Sequence, residues 1–131
     1  MSENKKLLLV DDEKDFAKSL KLYLEMEDYQ VDMAHCGEDA LALVKNNSYN
    51  LIISDVLMPN MDGYELRKNL RSLDSSKRTP IILLTAKEAD VESLKEINDG
   101  ATSFIMKPFD HTILLEEIRH LIKHRVAREQ E

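Results

Sequence analysis

Short apolar runs alternate along the chain with stretches whose apolar residues return every three or four positions. The runs at residues 7–10, 30–34, 51–54, 81–85 and 103–106 read as strands. Three of the five are almost unbroken by polar residues, the pattern of parallel strands covered on both faces. Phe16/Leu20/Leu24, Leu41/Val44, Leu66/Leu70, Val91/Leu94/Ile97 and Leu114/Ile118/Leu121/Ile122 mark the inner faces of five amphipathic helices. The order is therefore strand then helix, five times over, with no repeat, low-complexity stretch or Pro/Gly-rich linker to divide it. Right-handed crossovers then put helices on both faces of a parallel sheet. This is a doubly wound α/β fold, whose functional residues gather beyond the carboxyl ends of the strands.

Composition narrows the class. With 131 residues, 43% of them hydrophobic and 33% charged, the chain has the balance of one soluble globular domain with a core of its own. We expect residues 6–124 to form it, residues 1–5 to be a disordered N-terminus, and residues 125–131 to be a helix extension or the stub of a linker. Eighteen basic against 25 acidic residues leave a formal charge of -7, which disfavours direct binding to nucleic acid or to an anionic membrane. Cys36 is the sole cysteine, so no internal disulfide exists, as suits a reducing compartment. The polar start, followed by only four apolar residues, has neither signal-peptide nor membrane-span character, and a cytoplasmic location is expected.

The expected strand ends carry Asp11 and Asp12, Asp55, Thr85 and Lys107. Three carboxylates ending two neighbouring strands would repel one another unless a cation sat among them. A few carboxylates plus waters and a phosphate oxygen suit Mg2+; calcium would want more ligands. A carboxylate of ordinary pKa is ionised at neutral pH, so Asp55 could act as a nucleophile without a general base. Lys107 could supply positive charge, Thr85 a hydroxyl, and Ala86 a backbone N–H unobstructed by a bulky side chain. Taken singly, each has a plainer reading: an acidic helix cap, a solvated lysine, a threonine of good β-propensity. Their coincidence at one edge of four strands favours a site for phosphoryl transfer. His120 and His124, four apart on the last helix, lack an evident third metal ligand and read as a solvated face. His35, His111 and Cys36 receive no role.

These motifs resemble the response-regulator receiver family of two-component signalling, particularly its single-domain chemotaxis type, from about residue 6 to residue 124. They read Leu8-Leu9-Val10-Asp11-Asp12-Glu13, Ser54-Asp55-Val56-Leu57-Met58-Pro59-Asn60-Met61-Asp62-Gly63, Leu83-Leu84-Thr85-Ala86 and Met106-Lys107-Pro108-Phe109. The resemblance implies a flavodoxin-like fold with strand order 2-1-3-4-5. It implies that Asp55 is the phosphoacceptor and that Asp12, Asp55 and the Leu57 carbonyl hold Mg2+ directly, with Asp11 acting mainly through water. Lys107 and the Ala86 N–H would meet the phosphoryl group. Thr85 and Phe104 would be the hydroxyl and aromatic switch positions, reshaping the surface of the fourth helix, fifth strand and fifth helix.

A cis Lys107-Pro108 peptide is implied, and Gly63 is read as free to take a conformation barred to bulkier residues. Leu57 and Lys87 flank the path of attacking water, and apolar Leu57 is expected to lengthen the phosphorylated state. Partners would be a sensor histidine kinase or histidine phosphotransfer protein and a downstream output protein or domain. Thr102 and Ser103 stand where receivers of winged-helix transcription factors carry acidic residues, so a monomer or weak phosphorylation-dependent dimer is expected. The chain would catalyse its own phosphorylation and dephosphorylation rather than turn over as an enzyme. Two other readings are a phosphorylation-independent module, which would have lost part of the site, and a Mg2+-dependent phosphohydrolase. The latter would want its nucleophile and acid two apart after the first strand, whereas Asp11 and Asp12 are adjacent.

Overall fold

In the computed structural model, residues 5–86 and 101–129 are described, with side chains as far as residue 124. Strand β1 (Lys6–Val10) leads to helix α1 (Lys14–Met26), β2 (Gln30–Ala34) to α2 (Gly37–Asn46), and β3 (Leu51–Asp55) to α3 (Gly63–Arg71). Strands β4 (Ile81–Thr85) and β5 (Thr102–Met106) follow, and α4 (His111–Glu129) closes the order. All pairings are parallel, in the order β2-β1-β3-β4-β5. Four helices are thus present among the described residues, against five expected from the sequence. The expected helix of Val91, Leu94 and Ile97, and Lys87 before it, lie outside the described residues, as do residues 1–4. Lys5, within the stretch expected to be disordered, accepts a bond from the Gln30 N–H at 2.9 Å. No helix among the described residues is long and apolar enough to cross a membrane.

Alternation along the strands divides the core in two. Leu7 and Leu9, Leu51 and Ile53, Ile82 and Leu84, and Ile105 face α1 and α4, where they meet Leu20, Leu24, Leu114 and Ile118. Leu8 and Val10, Ile52, Ile81 and Leu83 face α2 and α3, where they meet Ala40, Val44, Leu66 and Leu70. Each such side chain contributes roughly 1.5–3 kcal/mol by leaving water. Strands β3 and β4 are buried throughout, and β1 in all but its first residue, while the edge strands β2 and β5 are only partly covered. The two strands with the most polar sequences therefore lie at the edges.

The same alternation sorts the strand ends. Asp11 and Asp55 continue the Leu7/Leu9 and Leu51/Ile53 series toward α1, and Lys107 continues from Ile105; Thr85 and Phe104 belong to the opposite parity. Backbone bonds hold these ends in place. Asp11 N–H donates to the Ala34 carbonyl at 3.0 Å, Val56 N–H to Leu84 at 2.9 Å, and Lys107 N–H to Thr85 at 2.7 Å. Asn60, at φ 70°, turns the loop after β3, and the Asp62 carboxylate caps α3 by accepting the Glu65 N–H at 2.8 Å. At the other end of the sheet the Arg71 guanidinium donates to the carbonyls of Ser76 and Thr79 at 3.2 and 2.6 Å. It also reaches the Thr102 hydroxyl at 3.3 Å, tying α3 to the approach of β4 and to β5.

Candidate functional site

The turn after β1 and the last residue of β3 bring Asp11, Asp12 and Asp55 together, with one oxygen from each lying within 4.8 Å of the others. Asp11 is fully buried, Asp55 is 7% exposed and Asp12 is open to solvent. Lys107, after β5, points its ammonium at the group, with Nζ 3.3 Å from Asp55 Oδ2 and 3.8 Å from Asp11 Oδ2. Asp11 Oδ1 accepts the Glu13 N–H at 2.9 Å, whereas the buried Oδ2 accepts no hydrogen bond from the described residues. The Lys107-Pro108 peptide is cis, as the resemblance implied.

Burial dominates the electrostatics. It pushes the Asp11 carboxyl above the ordinary range; the Glu13 N–H and the Lys107 ammonium oppose this, and the Asp55 charge adds to it. Burial likewise raises Asp55, against the pull of Lys107 and a hydrogen bond from the Leu57 N–H. The sequence-based expectation of an ordinary Asp55 pKa is thus corrected, because residue type carries no information about desolvation. Among the described residues, Asp11 and Asp55 share the Lys107 ammonium while Asp12 adds a third carboxylate, and a buried Asp11 oxygen is left without a donor. A hard cation with oxygen ligands fits this donor set on both counts.

Thr85 is buried at the end of β4, and Ala86, exposed just beyond it, lines an open cleft of about 500 Å³ with Glu13, Phe16, Lys107, Pro108, Phe109 and His111. Leu57 is 59% exposed on the loop after Asp55. Phe104 is half-buried against the α2/α3 core, its ring centroid 6.0 Å from that of Tyr64 on α3. Gly63 has no left-handed backbone, and its requirement is steric instead: a Cβ there would come 2.5 Å from the Asp55 carbonyl oxygen and 2.8 Å from Val56 Cα. Glycine lets α3 begin directly against the backbone of the acidic site.

Three contacts escape a reading of sequence pattern. The His35 ring Nδ1 lies 3.1 Å from the Asp11 carbonyl oxygen, the Tyr64 ring meets Phe104, and the Lys107 ammonium sits over the Phe16 ring at 4.6 Å from its centroid. Phe16 falls in the first turn of the helix that follows Asp11 and Asp12, and that proximity in sequence is a signal for its contact alone.

A family model of the response regulator receiver domain matches residues 7–119. The response regulator ArlR of Staphylococcus saprophyticus is 36% identical over 120 residues, covering 92% of this chain and 53% of that protein. The chain spans about half the length of the curated relatives it matches. Among solved structures, the chemotaxis response regulator CheY4 of Vibrio cholerae superposes with a TM-score of 0.82 at 33% identity, covering 91% of this chain and 99% of that one. The receiver domain of the sensor histidine kinase PA1611 from Pseudomonas aeruginosa, with a magnesium ion coordinated in its active-site cleft, gives 0.82 at 26% identity. It covers 92% of this chain and 99% of that one.

A carboxyl whose pKa is raised by folding costs stability in full above its folded-state pKa, and the cost fades as pH falls toward the ordinary carboxylate value. In metal-free solution at pH 7, Asp11→Asn therefore has a higher urea unfolding midpoint than the wild type, and the gap narrows on acidification through the carboxylate range. An equal or lower midpoint at pH 7 contradicts the charge imbalance described here.

Proposed function

The chain belongs to the response regulator receiver family of two-component signalling, and from that premise we propose that Asp55 is its phosphoacceptor. The observation that carries this reading is the crowding of Asp11, Asp12 and Asp55 within 4.8 Å at one sheet edge, with Lys107 3.3 Å from Asp55. A carboxylate oxygen of Asp55 attacks the phosphorus of a phosphohistidine donor. The new P–O bond forms as the P–N bond breaks, and the departing imidazole takes up a proton. Lys107 holds a phosphoryl oxygen and spreads its charge, while the Ala86 N–H and the Thr85 hydroxyl receive the others. Magnesium, held by Asp11, Asp12, Asp55 and the Leu57 carbonyl, would neutralise carboxylate charge and draw the phosphoryl oxygens in. The Pseudomonas receiver with magnesium in its cleft supports that choice of ion.

The buried Thr85 and the half-buried Phe104 lie on the same side of the sheet, on adjacent strands. Movement of the Thr85 hydroxyl toward the phosphoryl group would vacate space that the Phe104 ring can fill by leaving Tyr64. Such a rearrangement alters the surface formed by β5, α4 and the helix expected around Val91, where an output protein or domain docks. The donor is a sensor histidine kinase or a histidine phosphotransfer protein, and the setting is cytoplasmic. The chain works as a self-phosphorylating switch, monomeric or weakly dimeric when phosphorylated.

Incubation with acetyl phosphate and Mg2+ yields a single phosphoryl adduct by intact mass, absent when the metal is chelated and absent in Asp55→Ala. An adduct of undiminished amount in Asp55→Ala would place the chemistry elsewhere. Leu57, exposed beside Asp55, offers attacking water an apolar surface in place of a hydrogen-bonding one. Leu57→Asn therefore shortens the lifetime of the phosphorylated form, followed by decay of the adduct after donor removal; an unchanged or longer lifetime removes Leu57 from the account.

A further inference from the structure

Lys107 carries its charge on a flexible four-carbon stem, and neither of its carboxylate contacts is a tight one. Its distances of 3.3 Å to Asp55 and 3.8 Å to Asp11 exceed the about 2.7–2.9 Å of a strong charge-assisted hydrogen bond. Yet the side chain is only 22% exposed and aimed into the site. The third contact is the face of Phe16, 4.6 Å from Nζ to the ring centroid. That face carries the negative lobe of the ring quadrupole, so it attracts an ammonium in a site of low dielectric.

The ring is itself held. Phe16 meets Phe109 edge to face, with centroids 6.3 Å apart and planes at 78°. Phe109 lies 6.2 Å from His111, which tilts against Tyr23 at 4.6 Å. Phe16 and Tyr23 both belong to α1, and Phe109 and His111 both follow Lys107, so four rings join the loop after β5 to α1. The carboxylates and the ring also differ in what can displace them. A metal ion bound to Asp11 and Asp55 would compete with the ammonium for their charge, whereas the face of Phe16 offers such an ion no oxygen ligand.

We propose that Phe16 is a positioning residue for Lys107, holding its ammonium over the acidic site where it meets the phosphoryl group on Asp55. This rests on the role given to Lys107 above. It differs from a core-filling role for Phe16, which would alter stability without any dependence on Lys107.

The test is a double-mutant cycle on the rate of phosphorylation by acetyl phosphate at saturating Mg2+. Phe16→Leu slows the reaction about five- to tenfold, while Phe16→Tyr and Phe16→Trp, which keep the aromatic face, remain near wild type. In a Lys107→Ala background, Phe16→Leu adds no further loss. In the metal-free wild type, the Lys107 Hε signals are shifted upfield by the ring current, and the shift disappears in Phe16→Leu. Should the leucine variant not fold, Phe16→Met enters the same cycle.

Equal penalties for Phe16→Leu in both backgrounds, or a missing upfield shift in the wild type, overturn the proposal. If Lys107→Ala itself reacts at the wild-type rate, the reading of Lys107 fails and takes this inference with it. If Lys107→Ala is slow but Phe16→Leu is not, only the role of Phe16 fails.

Discussion

Asp11, Asp12 and Asp55 put one oxygen each within 4.8 Å of the others at the ends of adjacent strands, and among the described residues the Lys107 ammonium answers two of them, Asp11 and Asp55. Asp11 is wholly buried with one oxygen that accepts no hydrogen bond from the described residues, so the metal-free fold carries an electrostatic cost at the place where its strands converge. Such a cost is tolerated where a ligand removes it. A cation would relieve the repulsion, and the proposed phosphoryl group on Asp55 would then bring new negative charge to the same few ångströms. The proposed switch would thus stand between states of different charge at one site.

The sheet delivers this arrangement through parity and position. The central strands β1 and β3 continue into the carboxylates on the α1 side, while β4 and β5 contribute Thr85 and Phe104 on the other side, against α2 and α3. Charge is therefore handled on one face of the sheet and the proposed conformational response on the other. One link between the two at this edge is a strand end: Lys107 N–H bonds to the Thr85 carbonyl at 2.7 Å. A shift at Thr85 is felt by the backbone of Lys107, and the reverse holds. Gly63 adds a second rigid connection, since α3 starts in contact with the Asp55 carbonyl and leaves no room for a side chain between them.

Much of this was legible in the sequence, for physical reasons that differ from residue to residue. Buried parallel strands are unbroken apolar runs, so β1, β3 and β4 are located to within a residue, and the polar residues that end them stand out. Lys107, Thr85 and the acidic residues follow directly from that edge. Burial itself is not visible in residue type, which is why Asp55 read as an ordinary carboxylate although desolvation raises its pKa. Gly63 read as a conformational glycine because turns commonly need one, and only the approach of α3 to Asp55 reveals the steric demand. Phe16 read as one more apolar residue of an amphipathic helix, since its contact with Lys107 joins residues far apart in sequence. The helix expected around Val91 and the position of Lys87 lie outside the described residues.

The central claim, that the acidic cluster is a cation site built around Asp55, is tested most directly by calorimetric titration of Mg2+ into the metal-free protein. Wild type should bind one ion, and Asp55→Asn, which keeps the shape but removes a charge, should bind it at least about tenfold more weakly. Equal affinity in the two proteins, or no binding by the wild type, would contradict the account.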